Sequence, residues 1–134
     1  MKIDILTLFP KMFEGFLSES IIKRAIEKGL LEINLVNIRD FTILKNGQVD
    51  DTPYGGGSGM VLMCEPVVRA IESVKTNDSK VYLMSPQGQV LTDQLADTIY
   101  QSTKHLILVC GHYEGFDERI RKFVDGEISI GDYV

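Results

Sequence analysis

The residues with the most evident chemical potential lie in one short stretch, Gly111–Gly115, which reads Gly-His-Tyr-Glu-Gly. An apolar run, Leu106–Cys110, precedes it, and a charged helix start, Asp117–Arg119, follows it. The two glycines allow the backbone to approach a ligand closely, and the residues between them supply an imidazole, a phenol ring and a carboxylate. Ligands of open α/β sheets bind outside the carboxyl ends of strands, where this loop is predicted to lie. By its local pattern alone, an ordinary strand-to-helix turn explains the glycines equally well.

Two other segments are rich in glycine and polar residues. Asp50–Met60 holds four glycines and two adjacent aspartates, and Ser129–Val134 reads Ser-Ile-Gly-Asp-Tyr-Val. The first segment belongs to a stretch of 20 residues, Asp40–Gly59, that has no clear helix or strand pattern. A loop of that length inside a compact domain is more often functional or mobile than filler. A surface loop without an assigned task is the alternative.

The elements that must position these loops alternate between strands and helices. Apolar runs and period-two patterns predict strands, and apolar residues at helical spacing predict helices. Thr92 is expected to cap one helix, Pro66 to open another, and Gly29 to follow the end of a third. This alternation predicts an α/β fold with a parallel sheet and helices on both faces. In chain order, the predicted elements are strand Ile3–Phe9, helix Leu17–Ile26, strand Leu31–Ile38, helix Pro66–Val74, strand Val81–Ser85, turn Pro86–Gly88, helix Thr92–Ile99, strand Leu106–Cys110, helix Phe116–Val124 and a short segment Glu127–Ile130.

Length and composition indicate one globular domain. The chain has 134 residues, of which 44% are hydrophobic and 25% charged, and it lacks the run of roughly 20 apolar residues that crosses a bilayer. No secretory signal pattern opens it, so a cytoplasmic location is expected. Cys64 and Cys110 lack metal-ligand spacing, and we expect both to be structural. A net charge of −5 argues against a wholly basic nucleic-acid surface, although basic residues cluster locally at Lys23–Lys28 and Arg119–Lys122.

Two common nucleotide-binding patterns are absent from the sequence. No G-x-G-x-x-G follows the first predicted strand, and no G-x-x-x-x-G-K-[ST] occurs anywhere in the chain. Pro10 stands where a dinucleotide-binding fold or an ordinary Rossmann-type methyltransferase would carry its glycines. The glycine loops instead follow late strands, which predicts a ligand site of a different kind.

The glycine-containing segments occur in an order that resembles the bacterial tRNA (guanine-N1)-methyltransferase family, a branch of the SPOUT methyltransferases. The resemblance covers the whole chain. It implies a SPOUT-like fold with a deep trefoil knot, S-adenosyl-L-methionine as cofactor, tRNA as substrate and a site shared between two subunits of a homodimer. The implied reaction methylates N1 of the guanine just 3′ of the anticodon (G37). The segments that carry the resemblance are Leu8–Phe13, Arg39–Phe41, Asp50–Met60, Ser85–Gly88, Gly111–Gly115 and Ser129–Val134.

The resemblance also implies roles for individual residues. Glu114 would face the sulfonium and ammonium groups of the cofactor, although an ion pair with Arg119 or Arg121 is the alternative. Asp50 and Asp51 could accept hydrogen bonds from the guanine edge. His112 is a further candidate for a residue of the site, without an assigned role. The implied cofactor-binding residues are Ser85, Pro86, Gln87, Gly88, Gly111, Tyr113, Glu114, Gly115, Ile130, Gly131, Asp132, Tyr133 and Val134; the implied substrate-binding residues are Asp50, Tyr54, Gly55, Gly56, Gly57, Gly59 and Met60.

One departure from the family concerns the end of the chain, because the family continues well beyond the position of Val134. The resemblance places the general base, an aspartate, and an assisting arginine in that continuation. We therefore expect residues 1–134 to form the S-adenosylmethionine-binding domain with an incomplete knot and to methylate no tRNA alone. A non-catalytic S-adenosylmethionine- or RNA-binding module is the alternative function, and a partial record of a longer enzyme is a further reading. The sequence indicates no metal site and leaves open whether Mg²⁺ assists.

Overall fold

A computed structural model describes residues 1–53, 56, 59–112 and 115–131. Within these residues, three segments are 3₁₀ helices, at Pro10–Phe13, Ile38–Phe41 and Glu118–Phe123. The helices are α1 (Glu14–Leu17), α2 (Ser20–Glu27), α3 (Cys64–Val74) and α4 (Asp93–Ser102). The strands are β1 (Lys2–Thr7), β2 (Glu32–Asn37), β3 (Asp50–Asp51), β4 (Val61–Leu62), β5 (Ser79–Val90), β6 (His105–Cys110) and β7 (Gly126–Ser129).

Five of these strands form one parallel sheet in the order β2-β1-β6-β5-β7. The connections from β1 to β2 and from β5 to β6 step toward the β2 edge, and those from β2 to β5 and from β6 to β7 step the other way. Because crossovers between parallel strands are right-handed, steps in opposite directions carry their helices over opposite faces. The predicted α/β fold with helices on both faces is confirmed.

The two faces of the sheet are buried to different degrees. On the α3 face, Leu83, Ile107 and Val109 are fully buried in a cluster with Val67 and Ile71 of α3. Alternate residues of β6, such as Leu108 and Cys110, point to the opposite face and are only half-buried. The α3 side of the sheet is therefore the main hydrophobic core.

Local signals predicted two helix ends correctly, and they predicted one helix start and one turn incorrectly. Thr92 caps α4, with its hydroxyl accepting from the Leu95 amide at 3.1 Å, and Gly29 follows α2 with a φ of +72°. The prediction that Pro66 opens α3 was wrong, because the helix begins two residues earlier at Cys64. The predicted turn at Pro86–Gly88 was also wrong, since these residues belong to β5, where they form a bulge described below.

A hydrogen-bonded chain of buried polar residues joins three strands at the amino ends of the sheet. His105 Nε2 lies 2.5 Å from Asp4 Oδ2, and His105 Nδ1 lies 2.6 Å from Ser79 Oγ. The exposed fractions of Asp4, His105 and Ser79 are 1%, 5% and 8%. These residues come from β1, β6 and β5, so the network fixes the strands to one another at the end opposite the glycine loops.

No helix among the described residues is long and apolar enough to cross a membrane.

Candidate functional site

A cleft of about 360 Å³ lies at the carboxyl end of β6, beside residues 84–87 within β5. Its volume falls within the range of small-molecule sites, roughly 300–1,000 Å³. Ser85, Pro86 and Gln87 form one wall, and Gly111 and Gly115 form another. The structure thus brings together five residues from two separate sequence segments that were predicted to hold one ligand.

The wall from β5 is a bulge in the pairing with β7. Met84 and Gln89 both lie opposite Ile128, so residues 85–88 have no partners in the ladder. A bulge redirects its strand and often occurs beside an active site. Gly88 permits this bulge, because a Cβ atom there would lie 2.5 Å from the carbonyl carbon of Glu127 and 2.6 Å from the Ile128 amide nitrogen. The bulge therefore lies directly against the β7 backbone.

The loop after β6 is hydrogen-bonded to the base of the glycine-rich segment. The Leu62 amide donates to the Gly115 carbonyl at 2.9 Å, and the Asp117 amide donates to the Leu62 carbonyl at 3.0 Å. Leu62 also pairs with Asp50 across the antiparallel β3-β4 hairpin. This arrangement brings the predicted substrate segment beside the predicted cofactor loop, although they are separated by about half the chain.

Aromatic residues that the sequence analysis did not single out shape this loop. A Cβ atom at Gly111 would lie 2.9 Å from Cζ of Phe116, so this glycine makes room for a ring packed on the hydrophobic core. His112 is exposed, and its ring lies edge-on to Phe9 with centroids 4.8 Å apart. In the sequence, Phe116 is marked only by its position directly after the loop Gly111–Gly115. The packing of its ring against Gly111 is visible only in the folded structure.

Charged residues after the loop form two groups. Asp117 accepts from Arg119 Nε at 2.9 Å and from Arg119 Nη2 at 2.5 Å, and these hydrogen bonds lower the pKa of the Asp117 carboxyl. Arg121 pairs with Glu118 and Glu127. Hydrogen bonding to Glu127 is the main reason that the pKa of Arg121 is raised. Both arginines thus pair with carboxylates within the described residues.

A second, more apolar cleft of about 560 Å³ shares the β5 bulge. Ser85 and Pro86 line both clefts, and Ile130 and Gly131 line only the second. The Gly131 amide donates to Ser129 Oγ at 3.2 Å, which holds the end of β7 in a tight turn. The three predicted cofactor segments therefore converge on Ser85 and Pro86, but they border two adjoining clefts.

The two cysteines are partly buried, and burial shifts the pKa of each thiol. Burial raises the pKa of the Cys110 thiol to about 11, and burial is also the main cause of the raised pKa of Cys64. Within residues 1–53, 56, 59–112 and 115–131, no group of three or more His, Cys, Asp or Glu side chains could hold a metal ion.

The remaining predicted site residues are placed in three ways. Gly56 and Gly59 are exposed and Met60 is half-buried, and none of these residues lines either cleft. Gly88 lies against the backbone of Glu127 and Ile128 in β7 and lines neither cleft. The other predicted residues lie outside the described part of the chain: Tyr54, Gly55, Gly57, Tyr113, Glu114, Asp132, Tyr133 and Val134.

Comparison with known proteins gives a consistent result. The family model described as "tRNA (Guanine-1)-methyltransferase TrmD" matches residues 1–134. Proteins named tRNA (guanine-N(1)-)-methyltransferase from Mycoplasma capricolum subsp. capricolum, Staphylococcus epidermidis and Carboxydothermus hydrogenoformans are 54%, 55% and 56% identical to the chain. Each similarity covers 100% of the chain but only 56%, 55% and 53% of the respective relative. The chain spans about half the length of the curated relatives it matches.

Proposed function

Because the chain belongs to the tRNA (guanine-1)-methyltransferase family, we propose that it carries the S-adenosylmethionine-binding domain of an enzyme that methylates tRNA. The proposed product is 1-methylguanine at the guanine just 3′ of the anticodon. Acting on tRNA would place the protein in the cytoplasm. The fold is that expected of the SPOUT class, and the proposed active enzyme is a homodimer.

The observation that carries this proposal is the convergence of three segments at one edge of the sheet. The β5 bulge, the loop after β6 and the end of β7 meet around Ser85 and Pro86. Gly88 fits a role in such a cradle, since a side chain there would push the bulge away from β7. Backbone amides and carbonyls exposed by a bulge suit a nucleoside, whose base and ribose offer both donors and acceptors.

S-adenosylmethionine would supply a methyl group on a positively charged sulfur. The carboxylate of Glu114 is proposed to offset that charge, and the other proposed cofactor residues are those named for the three segments above. The shared position of Ser85 and Pro86 supports a ligand that extends across both clefts. Polar groups line much of the first cleft, whereas the second is mainly apolar, so the two could receive chemically different parts of one ligand.

The β3-β4 hairpin supports the proposed placement of the guanine. Asp50 pairs with Leu62, which in turn is hydrogen-bonded to the loop after β6. A glycine-rich segment anchored there could close over a base, with Asp50 or Asp51 accepting from its N1–H and amino edge. Methylation of N1 requires removal of its proton by a general base. The family resemblance implies an aspartate beyond the position of Val134 as this base.

The proposal is tested by calorimetric binding of S-adenosylmethionine and by methyl incorporation into unmodified tRNA, with the protein at its native length. We expect saturable binding, and 1-methylguanine formation only in a tRNA with a guanine 3′ of the anticodon. Replacing that guanine by adenine is the matched substrate control. Adding a chelator to the same assay decides whether Mg²⁺ assists.

Binding without methyl transfer would favour the non-catalytic module instead. Absence of cofactor binding would contradict the proposal altogether.

A further inference from the structure

Arg121 links the proposed cofactor segments through its side chain. Its guanidinium donates through Nη2 to Gln87 Oε1 at 3.1 Å and to Glu127 Oε2 at 3.3 Å, and through Nε to Glu127 Oε1. Its remaining terminal nitrogen, Nη1, donates to Glu118 Oε2. Gln87 lies in the β5 bulge, Glu127 lies in β7, and Arg121 itself follows the loop after β6.

The contact with Glu127 is the firmest of these. The exposed fractions of the Arg121 and Glu127 side chains are 30% and 17%, whereas that of Glu118 is 77%. Two hydrogen bonds join the guanidinium to both carboxylate oxygens, a geometry that fixes orientation as well as distance. The pair to Glu118 is solvent-exposed and contributes little. Arg121 is thus held against β7 and reaches from there to the bulge.

The ladder between β5 and β7 does not pair the residues of the bulge. Residues 85–88 have no ladder partners on β7, and Gly88 only permits close approach. Ladder pairing with β7 resumes at Gln89 and Val90. Among the described residues, the solvent-exposed Gln87–Arg121 hydrogen bond joins the middle of the bulge to the rest of the site.

We propose that Arg121 is a positioning residue that holds the β5 bulge, β7 and the loop after β6 in the arrangement that receives the cofactor. This inference rests on the proposed function for the identity of the ligand. Arg121 lines the first cleft and acts through Gln87 and Glu127, because Nε and Nη2 donate to these two residues while Nη1 donates to Glu118. Two carboxylates also offset its charge.

Loss of this contact should reduce the fraction of molecules in which the bulge is correctly placed. Apparent affinity falls in proportion to that fraction, so we expect Arg121→Gln to bind S-adenosylmethionine about tenfold more weakly. Arg121→Lys keeps the positive charge but lacks the planar guanidinium that donates to Gln87 and Glu127 at once. We therefore expect its loss of affinity for S-adenosylmethionine to be intermediate. In methyl transfer, KM for S-adenosylmethionine should rise while KM for tRNA changes less than about twofold.

A double-mutant cycle with Glu127→Gln tests whether Arg121 and Glu127 act through one shared contact. If both residues act through one shared contact, Arg121→Gln together with Glu127→Gln should cost no more affinity than Arg121→Gln alone. Lys2→Gln is the matched control, because it removes an exposed ion pair with Glu32 at the opposite end of the sheet. We expect no change in affinity for this control.

Three results would overturn the inference. These are unchanged affinity in Arg121→Gln, additive losses in the cycle, or a loss of affinity fully accounted for by the unfolded fraction of the variant on thermal melting. In each case the unmodified protein still binds S-adenosylmethionine. Failure of the unmodified protein to bind would instead reject the proposed function.

Discussion

Replacing His105 by leucine should destabilise the protein severely without touching the proposed site. His105 lies between Asp4 and Ser79, at 2.5 Å and 2.6 Å, and is 5% exposed. The substitution leaves the Asp4 carboxylate, 1% exposed, without this hydrogen bond. An uncompensated buried polar or charged group is among the few single-residue changes that cost several kcal/mol.

The expected loss is about 3 kcal/mol in the free energy of unfolding, the upper end of what a buried polar group costs when it loses its hydrogen-bond partner. Stabilities of native domains are about 5–15 kcal/mol, so the loss is a substantial share of the total. Replacing both Asp4 and His105 by leucine removes both members of this buried hydrogen bond. The double variant should therefore be more stable than His105→Leu alone.

Urea unfolding followed by far-ultraviolet circular dichroism measures these differences, since the chain contains no tryptophan. The control is Lys2→Gln, whose ion pair with Glu32 has exposed fractions of 49% and 64% and should contribute less than about 1 kcal/mol. A loss below about 1 kcal/mol in His105→Leu, or a double variant less stable than the single one, would refute the reasoning.

Three further outcomes follow from the site. Gly88→Ala should weaken S-adenosylmethionine binding, because its Cβ would lie 2.5 Å from the β7 backbone; unchanged calorimetric affinity would contradict this. Gly111→Ala should lower the melting temperature through contact with the Phe116 ring at 2.9 Å, whereas Gly111→Ala combined with Phe116→Leu should recover part of the loss; equal melting of both variants would contradict the packing role. The raised pKa of Cys110, about 11, leaves only about one thiolate in a thousand at pH 8. Alkylation of Cys110 followed by mass spectrometry should therefore accelerate about tenfold per pH unit up to that pKa, and rapid labelling at pH 7 would refute the assignment.

Much of the fold could be predicted from the sequence because its signals are local. Apolar runs marked the main strands to within a few residues, and Thr92 and Gly29 marked helix ends by their side-chain and backbone preferences. Alternation of strands and helices then implied a parallel sheet, since parallel neighbours require a crossover between them. The family was also predictable, because the short segments occur in a fixed order along the whole chain.

Some features could not be predicted because the deciding contact is made by a residue outside the local segment. Pro86–Gly88 has the composition of a turn, but pairing on both sides of it with β7 makes it a bulge within a strand. His105 precedes the predicted strand Leu106–Cys110, and its sequence neighbours give no sign of its hydrogen bond with Asp4, 101 positions away. Gly111 was predicted to allow close approach of a ligand. The structure shows a second reason for glycine at this position, because a side chain would clash with the ring of Phe116.

The sequence by itself determined the fold class, the family and the segments predicted to bind cofactor and substrate, because each depends on residue types over a few neighbouring positions. Only the tertiary structure decided that the β5 bulge, the loop after β6 and β7 adjoin one another, and that Arg121 joins Gln87 to Glu127. The order of strands in the sheet sets these distances. That order results from packing the whole core, which no single segment of the sequence encodes.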